Sequence, residues 1–150
     1  MDKLDSFEDV LDFAIERETE AVQFYTDLAQ QMKNPSMRDV FKAFAKEEQG
    51  HKAKLEAIKQ NKQIKPAKNV SDLHIADYVV EVEPDPEMDY QDALVLAMKK
   101  EKAAFRLYIE VANQVADEEH KSLFLSLAQE EAKHKLRFEI EYDEVVLKEN

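Results

Sequence analysis

Residues 5–55 and 88–138 of this 150-residue chain are two copies of one pattern, and that repeat limits the fold more than any other feature. At a constant offset of 83 residues, without a gap, the copies share 14 identities in 51 positions. Leu11/Leu94, Ala14/Ala97, Ala21/Ala104, Ala29/Ala112, Phe41/Phe124 and Ala45/Ala128 are among them. A chain built this way is expected to fold as two equivalent units with pseudo-two-fold symmetry.

Each copy reads as a pair of helices. Apolar residues recur every three or four positions at Phe7, Val10, Leu11, Ala14, Ala21, Tyr25, Leu28 and Met32, the period of one helix face. Ser6 or Asp5 is placed to cap that helix. Asn34-Pro35 then supplies an N-cap and a first-turn proline for a second helix carrying Met37, Phe41, Phe44, Ala45, Leu55 and Ile58. The third helix starts near Asp89, with Leu94, Ala97, Ala104, Tyr108, Val111 and Val115 on its stripe. Asp117 can cap the fourth, which carries Phe124, Leu127, Ala128, Phe138 and Tyr142. One glycine and four prolines in the whole chain leave little to interrupt such helices.

Short turns within each copy make two antiparallel helical hairpins. Between them, Pro66, Pro84, Pro86 and the run Tyr78-Val79-Val80 mark a connection of roughly 25 residues, long enough to need a structural role. A short helix is expected at Ser71–Tyr78. The predicted fold is therefore all-α: a four-helix bundle of two repeated antiparallel hairpins joined by a long crossover. It occupies one domain over residues 1–150, with hairpin one at about 6–60, the crossover at about 61–88 and hairpin two at about 89–148.

The chemistry lies in polar residues on the apolar stripes. Glu18 and Tyr25 in the first helix, and Glu48 and His51 in the second, become Glu101, Tyr108, Glu131 and His134 at the same offset. Residues three or four apart share a helix face, so each of these occupies a position proper to the core. Four buried carboxylates together would lose several kcal/mol of hydration each and repel one another. Two divalent cations cancel their charge, and two neutral imidazoles complete a six-residue dinuclear ligand set of the kind known from ferritin-like di-iron proteins.

A lone Glu-x-x-His on a charged helix is ordinarily a solvated face, and the repeat separates signal from background. Glu16 aligns with Lys99 and Glu20 with Ala103, so neither recurs, whereas Glu18 aligns with Glu101. Glu47 and Glu130 recur, but lie about 100° around the helix from the stripe and belong in solvent. His74 and His120 have no repeat partner and read as surface residues. Gly50 sits between Glu48 and His51, where it would make room for a close neighbour or an exogenous ligand, although Lys133 occupies the equivalent place in the second copy. Tyr25 and Tyr108 read as buried phenols hydrogen-bonded to a ligand carboxylate.

Composition narrows the partners. A net charge of −12 argues against nucleic acid and anionic membranes, and no apolar run is long enough to span a bilayer. The absence of cysteine excludes thiolate-ligated metals and iron–sulfur clusters from this chain. The acidic start MDKLDSFEDVLDF lacks the features of a signal peptide, so a cytoplasmic location is expected.

The segments Glu18-Thr-Glu-Ala21-Val-Gln-Phe-Tyr25, Glu48-Gln-Gly-His51, Glu101-Lys-Ala-Ala104-Phe-Arg-Leu-Tyr108 and Glu131-Ala-Lys-His134 resemble the rubrerythrin branch of the ferritin-like superfamily. The resemblance implies two iron ions, with Glu18 and Glu101 as terminal ligands, Glu48 and Glu131 as bridging carboxylates, and His51 and His134 as terminal nitrogen ligands. Carboxylate and imidazole donors also suit manganese and zinc. It further implies reaction with hydrogen peroxide or dioxygen and association as a homodimer. Rubrerythrins proper carry a four-cysteine rubredoxin module; this chain has none, which implies a separate electron-donor protein such as a rubredoxin. They also carry a further Glu one turn after the third-helix ligand, where this chain has Ala104. What remains is a symmetric four-Glu, two-His set, closer in ligand count to bacterioferritin-like ferroxidase centres.

Three functions follow from this reading. The first is a di-iron oxidoreductase acting on peroxide or dioxygen. The second is a ferroxidase or iron-binding protein. The third is a non-catalytic helical bundle that metal merely stabilises.

Overall fold

The computed structural model describes residues 7–61 and 88–149. They form four helices: α1 (Phe7–Gln31), α2 (Pro35–Asn61), α3 (Tyr90–Gln114) and α4 (Glu118–Glu149). Both α1 and α3 are 25 residues long, and each helix of the second pair starts 83 residues after its counterpart. The repeat in the sequence is thus a repeat of secondary structure, and the fold is all-α as expected.

The ends of the helices are set by local chemistry. Asn34 accepts a hydrogen bond from the Ser36 amide at 2.9 Å, and Pro35 opens α2 where no amide donor is required. The Arg38 guanidinium reaches back to the Met32 carbonyl at 2.9 Å, satisfying an acceptor left over at the end of α1. Asp89 caps α3 by accepting from the Asp92 amide at 2.8 Å. Asp117 precedes α4, but its carboxylate pairs with the His120 ring, and its carbonyl accepts from the Lys121 amide. The expected cap at Ser6 or Asp5, the helix at Ser71–Tyr78, the crossover and His74 lie outside the described residues.

Turns of three residues join α1 to α2 and α3 to α4, so each pair is an antiparallel hairpin, and each hairpin is a compact unit. In hairpin one, Val10, Leu28, Phe41 and Leu55 are buried; in hairpin two, Leu94, Val111, Phe124 and Phe138 are. Full burial of one such side chain contributes about 1.5–3 kcal/mol. The repeat extends to ring geometry: Tyr25 stacks on Phe41 with centroids 6.4 Å apart, and Tyr108 stacks on Phe124 at the same distance.

The buried surface is wider than one stripe. Phe13 and Phe24 of α1, like their counterparts Leu96 and Leu107 of α3, are buried in addition to the expected positions. Conversely Ala21, Met32, Phe44, Ala104 and Tyr142 are only partly buried.

Candidate metal centre

Glutamate is almost never fully buried without a partner. Here Glu18, Glu48, Glu101 and Glu131 are each 1% exposed, and His51 and His134 are 3% exposed. The helical period put all six on core-facing stripes, and burial follows that expectation.

Hairpin one brings Glu18 from α1 against Glu48 and His51, one turn apart on α2. Each offers a donor atom, and those atoms lie within 4.8 Å of one another. The His51 Nδ1 is 3.2 Å from Glu18 Oε2 and 3.2 Å from Glu48 Oε1. Hairpin two repeats the arrangement with Glu101 from α3 and Glu131 and His134 from α4, again within 4.8 Å. There His134 Nδ1 is 3.7 Å from Glu101 Oε1. Donors about 2.1 Å from a shared ion stand up to ~4 Å apart, so each triad needs only small side-chain rotations to close on one cation.

The electrostatics of the metal-free triad are legible at His51. Burial alone lowers the pKa of its imidazole, but hydrogen bonding and charge from Glu18 and Glu48 outweigh burial and raise it to about 10. The protein holds a proton where a divalent cation would serve better, since the cation brings twice the charge and accepts more donors. The donor set of oxygen and imidazole nitrogen, with no sulfur, suits iron, manganese or zinc.

The other residues singled out in the sequence sort as follows. Glu16, Glu20 and Glu47 are exposed, whereas Glu130 is partly buried. His120 is partly buried against Asp117 and is not a fully exposed surface residue. Tyr25 and Tyr108 are 0% and 1% exposed. A side-chain carbon added at Gly50 would meet nothing within 4 Å, so this glycine makes room for no close neighbour, contrary to expectation. Sequence reasoning missed the burial of Gln114, whose Oε1 has no hydrogen-bond partner among the described residues; its repeat counterpart is also Gln and gives no warning.

The rubrerythrin family profile matches residues 9–142. The chain belongs to the rubrerythrin family. A hypothetical protein from Pyrococcus furiosus is similar in structure, with a TM-score of 0.73 and 29% identity over 92% of this chain and 89% of that one. A Thermotoga maritima protein put forward as a ferritin-like di-iron–carboxylate protein gives a TM-score of 0.77 at 19% identity, covering 97% of this chain and 99% of that one. At that identity the second likeness shows the fold alone, which is ferritin-like. No curated protein matches significantly.

Rubrerythrin membership and the two buried carboxylate–imidazole clusters are those of a non-haem oxidoreductase of the di-iron type, and residues 1–150 contain no cysteine. Among the described residues no helix is long and apolar enough to cross a membrane.

Proposed function

We propose that Glu18, Glu48, His51, Glu101, Glu131 and His134 together hold two iron ions, and that the protein reduces hydrogen peroxide or dioxygen with electrons from a separate donor protein. The observation that carries this reading is the pair of buried Glu-Glu-His triads, each with its donor atoms within 4.8 Å. Two ferrous ions would supply the two electrons that convert peroxide, with two protons, into two waters.

This chain's own residues do the rest. Four carboxylates balance the charge of two divalent cations inside a water-poor interior, so the loaded site is neutral overall. His51 and His134 must be neutral to donate a lone pair, so metal uptake displaces the proton that Glu18 and Glu48 hold on His51. Tyr25 and Tyr108, two turns from Glu18 and Glu101, are assigned to orient the ligand carboxylates by hydrogen bonds. Residues 1–150 hold no cysteine for a redox module, which supports a separate electron donor such as a rubredoxin. The same reading treats residues 1–150 as one ferritin-like domain that works as a cytoplasmic homodimer.

Ala104 favours one second reading. Without a carboxylate there, the six ligands match a ferroxidase set, whose reaction is oxidation of incoming ferrous iron. Stopped-flow mixing of the anaerobic, ferrous-loaded protein with each oxidant separates the two. Oxidation markedly faster with peroxide than with dioxygen supports the peroxide-reducing role, and the reverse order supports the ferroxidase. Turnover of neither oxidant overturns the oxidoreductase proposal. If the centre is shared, Glu48→Gln and Glu131→Gln each alter the spectrum of both metal ions.

A further inference from the structure

Each hairpin supplies the same three ligand types, so a difference between the two halves of the centre must come from what surrounds the ligands. The internal repeat makes that comparison residue by residue. Of the positions next to a ligand, Arg17/Lys100, Glu47/Glu130, Gln49/Ala132 and Lys52/Lys135 carry the same charge in both copies. The remaining two differ, and in the same sense. Thr19, after Glu18, becomes Lys102 after Glu101, and Gly50, before His51, becomes Lys133 before His134.

Both added lysines are exposed, and among the described residues neither is held by a carboxylate. Lys135, by contrast, pairs with Glu139 at 2.9 Å and Arg17 with Glu20 at 3.0 Å, which blunts their charge in either copy. An ammonium about 10 Å from a divalent ion, acting through the high dielectric of a surface at low salt, weakens binding of that ion by about threefold. Two of them amount to about tenfold, and they act on hairpin two alone.

The geometry runs the same way. His51 Nδ1 lies 3.2 Å from a carboxylate oxygen of both Glu18 and Glu48, whereas His134 Nδ1 stands 3.7 Å from Glu101. Beside the first triad, Tyr25 is walled by the rings of Phe24, Phe41 and Phe44 at 5.5, 6.4 and 6.0 Å. At the matching positions hairpin two has Leu107, Phe124 and Leu127, so two of the three rings are missing. Hairpin one thus holds its donors nearer to their closed arrangement, which leaves less ordering to oppose binding.

We propose that the two halves fill in order. Hairpin one, with Glu18, Glu48 and His51, takes the first divalent ion and keeps it. Hairpin two, with Glu101, Glu131 and His134 flanked by Lys102 and Lys133, takes the second only when free metal is more plentiful. The proposal rests on the two-metal reading given above. On that reading peroxide reduction draws one electron from each of two ferrous ions, so a chain holding a single ion is idle. The lysine-flanked half therefore makes the reaction answer to the supply of metal.

Manganous ion titrated into the metal-free, full-length protein at low ionic strength tests the order, with the free ion followed by its electron paramagnetic resonance. One equivalent per chain is expected to bind about tenfold more tightly than the second. Glu18→Gln should remove the tight step and leave the weak one, and Glu101→Gln should do the reverse. Lys102→Gln with Lys133→Gln should tighten the second step by about tenfold, and Thr19→Lys with Gly50→Lys should weaken the first by about as much. All four positions are exposed, and a side-chain carbon added at Gly50 meets nothing within 4 Å, so circular dichroism should not change. Added salt should narrow the gap by screening the lysines. Repulsion between two bound ions also produces two steps, but it neither selects a half nor responds to the lysines. Two equal steps, a tight step that Glu101→Gln removes, or a gap that the lysine variants leave unchanged each overturn the order. A wild type that takes up no manganese is a different result, since it overturns the two-metal reading and the order falls with it.

Discussion

Replacing Glu131 by Gln should make the metal-free protein more stable and the metal-exposed protein less so. Glu131 is 1% exposed, and it shares its cluster with Glu101 and His134. The substitution keeps its volume and removes one charge from a set of buried carboxylates that costs several kcal/mol per ion to dehydrate. Relief of about 2 kcal/mol corresponds to a rise in melting temperature of about 4–8 °C for a chain of this size. Metal binding runs the other way. At a free concentration 100 times its dissociation constant, one cation adds about 2.7 kcal/mol to the wild type, and the variant, missing a ligand, should gain little of it. Thermal melts followed by circular dichroism, with chelator and then with manganous ion, give both numbers on the same samples. A metal-free variant that melts below wild type, or a metal-induced shift undiminished by the substitution, would show that Glu131 is a structural hydrogen-bonding residue, and the charge argument would be refuted.

Gly50→Ala should stabilise the protein by about 1 kcal/mol, measured by urea denaturation, because the added methyl meets nothing within 4 Å and glycine is a poor helix former. Asp89→Ala should cost about 1 kcal/mol by the same assay, since the Asp92 amide loses its acceptor. In the metal-free protein the charged form of His51 stabilises the fold fully below pH 6.5, and that stabilisation is lost as pH rises through about 10. The stability difference between wild type and His51→Gln should shrink over that window; a constant difference would mean the two carboxylates do not hold the proton.

The sequence was most legible where the repeat constrained it. Pairing each residue with its counterpart 83 positions away picked Glu18 and Glu101 over neighbours such as Glu16 and Glu20, and the burial of all six cluster residues agrees with that choice. Helix starts at Pro35 and Tyr90 were also readable, because Asn34 and Asp89 advertise their caps. Reading failed where the copies differ or where period alone is ambiguous. Gln114 is buried while Gln31 is not, so the repeat, which has Gln in both copies, carries no signal of that burial. Phe13, Phe24, Leu96 and Leu107 lie beside the main stripe, and a single-face pattern does not say how wide a helix will be covered. Leu125, Leu136, Ile140 and Leu147 of α4 are exposed although large and apolar, which residue type alone does not announce.

The most direct measurement is the metal content of the iron-loaded protein after removal of loosely bound ions. Two clusters predict two iron ions per chain in the wild type, and loss of both in His51→Ala with His134→Ala at unchanged helicity. A wild type that retains no metal, or a double variant that retains the full complement, would contradict the account.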